Sequence, residues 1–397
     1  MKILHINDHL ALKGGVEVYL LSLARELSSR GHKIGIAYGS GDPSVWSTTY
    51  SVPAISSVAL RNHSKGRQEM AEAISKFEPD VCHVHGVYNP GVIDACLNHG
   101  PTVLHLHDYR YMCPSSGFFY RRSRNICERT CSVACFPIGL VRGCQTPRLP
   151  AGLAYLKRVK YVERHAGRFQ SVLANSQFVA ERFSRATSMP SSLCVAHYFC
   201  PIAPAVEPPS AKKHSSILFL GRVREIKGIV PFLEVLSLLP KGVTGTIVGD
   251  PDQSMKTLIE RESKRLGCHE RIRLTGWLGR NDVARIVEQA SAVLFPSLWA
   301  EPFGIVGIEA MARGIPVVGF DVGGVSDWLV DGETGYLVPR NDVAQMAERV
   351  KTLLSDSELR TIMGRKGIEL VRKKFCASDH VEKLIATYQR EEGFQRW

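Results

Sequence analysis

The chain has 397 residues, 44% of them hydrophobic, and carries 11 cysteines. That length favours two domains over one, and the composition belongs to a globular protein with sizeable cores, not to a disordered or fibrous one. No run of eighteen apolar residues occurs, which excludes a membrane-spanning helix. The formal charge of +12 is uneven. Residues 1–200 carry 23 Lys+Arg against 13 Asp+Glu, and residues 201–397 carry 27 against 25. Most of the excess lies between Arg110 and Arg168, where 12 bases face two acids, Glu128 and Glu163. Such a stretch suits nucleic acid, anionic lipid or an acidic substrate.

The N-terminus MKILHIN opens a strand, Lys2–Asn7, and is too soon interrupted for a secretory signal. A cytoplasmic protein with reduced thiols is therefore expected. The segment EVYLLSLARELSSRG follows, with Val18, Leu21, Leu23, Ala24 and Leu27 near a helical period and a stop at Gly31. Strands are expected at His32–Tyr38, Asp80–His85, Thr102–Leu106 and Ser171–Ala174, with helices such as Arg67–Phe77 between. The alternation predicts a parallel sheet with right-handed crossovers. Ala151–Arg168 reads as a long basic helix.

Residues 199–214 hold four prolines and no periodicity, a stiff linker composition. Alternation then restarts with Ile217–Leu220, Gly228–Leu239, Thr244–Val248, Ser254–Leu266, Ile272–Leu274 and Asp282–Gln289. Two doubly wound α/β domains facing across a cleft are expected: 1–198, carrying a Cys-rich basic insertion at about 109–150, and 215–377. A helix in 378–397 would cross back to the first domain.

The densest site signal is FPSLWAEPFGIVGIEAMARGIPVVG, Phe295–Gly319. A strand runs into a loop holding Glu301, a helix opens at Gly304, and Glu309 follows about a turn later. Ligands of open parallel sheets bind at carboxyl ends of strands. The amides of Phe303, Gly304, Ile305 and Val306 at the helix start attract phosphate, and a carboxylate suits a vicinal diol. Three other loops fall at strand ends: Gly14–Gly15 before the first helix, Arg222 and Lys227 in LGRVREIKG, and His107–Asp108 in HLHDYR. Each alone also suits a turn, a solvated loop or a structurally satisfied histidine.

In this order the motifs resemble family 4 of the retaining glycosyltransferases, which have the two-domain GT-B fold. GRVREIKG, IVGD, RIRLTGWL, EPFG, EAMARGIPVV and GGVSDWLVDGETGYLVP carry the likeness, with Asp327 where a glutamate is commoner. The resemblance implies that Arg222 and Lys227 hold a donor diphosphate, that Glu309 holds the ribose and that Glu301 faces the transferred sugar. It places His107 at the reaction centre and Gly14–Gly15 near the donor phosphates. Transfer of a hexose from a UDP- or GDP-sugar to a glycan or polyprenyl-diphosphate-linked acceptor, in cell-surface polysaccharide or glycolipid assembly, is the implied activity. Asp250-Pro-Asp252 falls where the family has a turn, so no catalytic metal or other cofactor is expected.

The alternatives are a GT-B epimerase or hydrolase, and a non-catalytic binder of nucleotides or nucleic acid. The last would use Tyr109, Tyr111, Phe118, Phe119 and Tyr120 as stacking platforms beside the basic charge, though no nucleic-acid module is recognisable. Cys127, Cys131 and Cys135, four apart, would share one helix face; with Cys113 and Cys144 they suit reduced thiols or a structural zinc. On the basic helix, Lys157, Lys160, Arg164 and Arg168 would line one side, with Leu153, Leu156, Val159 and Tyr161 alongside. That pattern suits either packing on the sheet or an anionic membrane surface at the inner face of the cell membrane.

Overall fold

The computed structural model describes residues 1–57, 62–144, 149–187, 192–209 and 215–389. They form two compact units, Met1–Pro201 together with the segment from Ala377, and Ile202–Cys376.

The first unit is built on a parallel sheet of order β3-β2-β1-β4-β5-β8-β9. Its strands are β1 (Lys2–Leu10), β2 (Lys33–Gly41), β3 (Thr49–Ser51), β4 (Val81–Gly86), β5 (Thr102–Leu106), β8 (Ser171–Ala174) and β9 (Leu193–Val195). A separate antiparallel pair, β6 (Phe119–Tyr120) and β7 (Asn125–Ile126), lies in the insertion after β5. The helices are α1 (Gly15–Ser29), α2 (His63–Phe77), α3 (Pro90–His99), α4 (Cys135–Arg142), α5 (Leu149–His165) and α6 (Gln177–Ala186). β4 and β5 are buried along their whole length, as strands covered on both faces must be. α1 buries Tyr19, Leu20, Leu23, Ala24 and Leu27, the stripe set by its helical period.

The second unit has a parallel sheet of order β12-β11-β10-β13-β14-β15. Its strands are β10 (Ser216–Leu220), β11 (Thr244–Val248), β12 (Ile272–Gly276), β13 (Ala292–Phe295), β14 (Val317–Phe320) and β15 (Gly335–Val338). Around them run α7 (Ile229–Leu238), α8 (Gln253–Arg265), α9 (Arg280–Glu288), α10 (Ile305–Ala312), α11 (Val343–Ser355) and α12 (Ser357–Lys374). The closing helix, α13 (Ala377–Gln389), belongs to the first unit, where His380 meets Tyr19 (2.7 Å) and Tyr388 meets His83 (2.6 Å).

The proline-rich segment is packed where it is described. Phe199 and Cys200 are buried in the first unit, Phe199 against Tyr19 and His380. In the second unit the Ala205 amide donates to the Ala312 carbonyl (2.7 Å), and Arg372 donates to the Ala205 carbonyl (2.6 Å). Residues 210–214 lie outside the described residues. Strand order reverses between β10 and β13 in the second unit and between β1 and β4 in the first. Loops diverge at such switch points and leave a crevice at the carboxyl ends of the strands.

Candidate functional site

In the second unit that crevice is lined by the loops after β10 and β13. Gly228 closes the first loop at φ +84°, and a Cβ there would strike the Pro296 carbonyl, so glycine lets the two loops touch. The Leu298 amide then donates to the Ile226 carbonyl (2.9 Å). This seam brings Lys227 onto Glu301, its ammonium 2.7 and 2.8 Å from the two carboxylate oxygens. Ser297 Oγ (3.0 Å) and Trp299 Nε1 (2.8 Å) also donate to Glu301, and the ammonium lies 4.9 Å from the centre of the Trp299 ring. The lysine and glutamate side chains are 18% and 7% exposed. Burial lowers the Lys227 pKa, with the Glu301 charge pulling the other way. Arg222, close enough for its charge to be felt at Lys227, is exposed.

Gly304 caps α10 at φ +97°, where a side chain would be driven into the Phe295 ring. The loop carrying Glu301 is braced from behind. Trp328 Nε1 donates to the Phe303 carbonyl (2.6 Å) and the Gly324 amide to the Glu301 carbonyl (2.7 Å). Ile305 is buried, Val306 half-buried, and Glu309 half-buried on the second turn of α10. Burial pushes the Glu309 carboxyl up to about 7, against the opposing pull of Arg280 and Arg313. Asp252 caps α8, accepting from the Met255 amide (3.0 Å) and Ser254 Oγ (2.6 Å), and pairs with Arg224 (2.9 Å). Its oxygens serve a helix start.

In the first unit, Gly14 caps α1 at φ +102° beyond the end of β1. Asp8 on β1 and Asp108 after β5 both bind the Arg110 guanidinium, at 2.9 and 2.8 Å. Burial would raise the Asp108 pKa, but the guanidinium holds it below the usual carboxylate value. His107 is 5% exposed and its ring is turned into the unit. Its Nε2 meets His85 Nδ1 (2.7 Å), its Nδ1 meets the Tyr198 hydroxyl, and its carbonyl accepts from Asn175 Nδ2 (3.2 Å). The row continues from His85 Nε2 to His5 Nδ1 (2.9 Å). His5, His83, His85, His105, His107 and His380 are all buried. In the sets His5–His83–His85 and His85–His105–His107, three ring nitrogens lie within 4.8 Å of one another. Both sets contain a hydrogen-bonded pair whose nitrogens are 2.9 or 2.7 Å apart. Two nitrogens on one tetrahedral ion would stand about 3.3 Å apart, so the imidazoles are joined to each other.

Family 4 of the glycosyltransferases matches residues 13–197, and the group 1 glycosyl transferase domain matches residues 206–370. The chain belongs to family 4 of the glycosyltransferases. A D-inositol 3-phosphate glycosyltransferase of Corynebacterium diphtheriae is 25% identical to it over 94% of this chain and 89% of that protein. An alpha-D-kanosaminyltransferase of Streptomyces kanamyceticus is 30% identical over 45% of this chain, and that match spans 46% of the relative's length. Among solved structures, sucrose-phosphate synthase from Thermosynechococcus elongatus shares the fold with a TM-score of 0.76 at 18% identity, over 98% of both chains. HepE of Anabaena, in complex with UDP and glucose, does so with a TM-score of 0.73 at 17% identity, over 98% of this chain and 100% of that one.

Within this glycosyltransferase, Arg222, Lys227, Glu301, Phe303, Gly304, Ile305, Val306 and Glu309 gather at one end of the second sheet. Gly14, Gly15 and His107 lie at the carboxyl ends of β1 and β5 in the first. Sequence reasoning missed Ser297 and Trp299 beside Glu301, and the histidine partners of His107. The alternating His-x-His of β4 and β5 was the available signal, since residues two apart share a sheet face. One alternative loses its support here, and one expectation is corrected. Tyr109, Tyr111, Phe118, Phe119 and Tyr120 are all buried, which removes the stacking platforms of the nucleic-acid reading. Cys127 and Cys131 precede α4, so they share no helix face with Cys135.

Proposed function

We propose that the protein transfers a hexose from a UDP- or GDP-sugar, with retention of configuration, to a glycan or lipid-linked acceptor. The observation that carries this reading is the buried Lys227–Glu301 pair beside the start of α10, with Glu309 one turn further. Donor binding would exchange that pair for Lys227 on phosphate and Glu301 on sugar hydroxyls. Arg222 and the α10 amides would share the diphosphate, and Glu309 the ribose diol. The bond from the anomeric carbon to phosphate breaks, and the nucleoside diphosphate leaves with the electron pair. The acceptor oxygen bonds to that carbon, and its proton passes to the departing phosphate. Positive groups fixed where this charge develops lower the barrier by about 3 kcal/mol each, the role a divalent ion fills in other sugar transferases.

Glu309→Ala should weaken donor binding by about tenfold to a hundredfold while leaving the unit folded, since a hydrogen bond to a charged group is worth about 1.5–3 kcal/mol. With the Glu309 carboxyl titrating near 7, wild-type affinity should also rise between pH 6 and pH 8 as it ionises. The Glu309→Gln profile should be flat. Calorimetry with UDP- and GDP-sugars checks both, and unchanged affinity in the folded variant would refute the assignment.

A lipid-linked acceptor is favoured by apolar side chains exposed within the basic stretch: Val133 (82%), Val141 (67%), Leu140 and Leu153. The face is narrower than its spacing implies. Arg158 and Val159 are buried, Lys160 pairs with Glu163 (2.6 Å), and Arg168, though exposed, donates to Asn98 (2.8 Å), while Lys157 and Arg164 are exposed. Among the described residues no helix is long and apolar enough to cross a membrane. Sedimentation with anionic vesicles should therefore weaken with salt and in Lys157→Glu/Arg164→Glu. Equal sedimentation with neutral vesicles would favour a soluble acceptor.

A further inference from the structure

The segment of residues 107–144 that follows β5 has little regular secondary structure. Two strands of two residues and one helix of eight are its regular elements. Val133, Leu140 and Val141 face outward. Beside the buried Met112, Phe118, Phe119 and Tyr120, five cysteines, Cys113, Cys127, Cys131, Cys135 and Cys144, line one pocket. None of the five is in a disulfide.

We propose that four of these five thiolates, with Cys131 and Cys135 among them, bind one structural zinc ion that staples the insertion. This proposal stands apart from the sugar-transfer reading, since no residue of the second unit enters it.

Four observations carry it. The thiols come from four separate places in the insertion: Cys113 after β5, Cys127 after β7, Cys131 and Cys135 around the start of α4, and Cys144 beyond its end. An ion held from all of them would tie the loop, the hairpin and the helix together, as structural zinc does in small segments that lack a core. Cys131 and Cys135 face the same pocket and are close enough to interact with each other. The Ser132 amide also donates to Cys135 Sγ (3.5 Å), the outer contact that orients a thiolate ligand. Finally, a zinc ion with four thiolates carries two net negative charges. The segment carries Arg121, Arg122, Arg124, Arg129 and Arg142 against Glu128, with Arg129 in the pocket wall and Arg142 over the ring of the lining residue Tyr120 (4.7 Å).

Zinc–sulfur bonds are about 2.3 Å long, which sets sulfurs about 3.8 Å apart in a tetrahedron. Among the described residues, the sets of three ligand atoms within 4.8 Å of one another are histidine sets. No three of the thiols therefore lie together at ligand spacing, and the proposed site requires rotation about χ1 to bring four of them onto the ion. Soft thiolates select zinc over calcium or magnesium.

The test is elemental analysis of the full-length protein purified without chelator from zinc-supplemented cells. About one zinc per chain is expected, released stoichiometrically by a mercurial thiol reagent. Cobalt substitution should give the thiolate-to-metal charge-transfer band and intense visible bands of a tetrahedral sulfur site. Cys131→Ser/Cys135→Ser should lose the metal and the protease resistance of residues 109–144, with donor affinity in the second unit unchanged. Substoichiometric zinc with five thiols titratable by Ellman's reagent, two disulfides by mass spectrometry, or stoichiometric iron would each overturn it. So would a double variant that keeps its zinc.

Discussion

Lowering the pH from about 7.5 to about 5.5 is expected to unfold the first unit while the second remains folded. Six histidines are buried in the first unit. Burial holds His5, His107 and His380 at about 3, and it drives His83, His85 and His105 well below the ordinary value, with neighbouring imidazoles adding to the effect. In the unfolded chain each titrates near 6.5. Between those values the unfolded chain binds protons that the folded unit refuses. Stability is therefore full above about 6.5 and is lost as the pH falls below it, by about 1.4 kcal/mol per pH unit for each histidine. Six acting together remove about 8 kcal/mol per unit, comparable with the whole stability of a domain. Calorimetry should show one transition moving steeply with pH and one nearly fixed, and limited proteolysis should place the early cuts in residues 1–201. His105→Leu should flatten the slope, because both His105 ring nitrogens are buried without a hydrogen-bond partner. Parallel loss of both transitions, or a first unit indifferent to pH in this range, would contradict the account.

The second large effect is expected from Lys227→Met. Removing the ammonium leaves Glu301 in a buried site with Ser297 and Trp299 as donors but no counter-charge. Breaking a buried pair in this way costs about 3–5 kcal/mol, and the partial exposure of Lys227 places the expected loss at the lower end. Transfer should fall by about 100-fold to 1,000-fold, the usual consequence of deleting a group aimed at developing charge. Stability and chemistry can be separated. Lys227→Met/Glu301→Gln should recover most of the stability, because no uncompensated charge remains, yet stay as inactive as the single variant. A double variant that regained transfer would mean that the pair is structural and that the donor diphosphate is held elsewhere.

Much of the architecture was legible in the residues. Strands such as Val81–Gly86 and Thr102–Leu106 are short, wholly buried runs, and helices such as α1 and α8 follow recognisable start signals at Gly14 and Asp252. The β10 and β13 loops could be named because a glycine, a lysine and two glutamates sit at fixed distances from strand ends. Other features follow local chemistry less closely. The four-residue spacing of Cys127, Cys131 and Cys135 suits a helix face, yet the chain is still in the loop after β7 until Ala134. The pocket, not the spacing, brings those thiols together.

What the chain alone determined is which side of its own element each residue occupies: His83 and His85 on one face of β4, His105 on β5 with His107 two residues on at its end, Glu309 one turn inside its helix. Which of those faces meet was decided by the tertiary structure. The order β1-β4-β5 sets three histidine-bearing strands side by side, and α13 adds His380 and Tyr388, whose partners Tyr19 and His83 lie 361 and 305 residues away in the chain. Likewise, β10 and β13 are neighbours although 71 residues separate Ile226 from Ser297. That adjacency turns a lysine and a glutamate, each unremarkable in its own loop, into a buried pair. The physical reason is that side-chain direction follows from a repeat of two or 3.6 residues. Partners across a sheet depend instead on strand order, which is fixed by how all the strands and helices bury their apolar faces together.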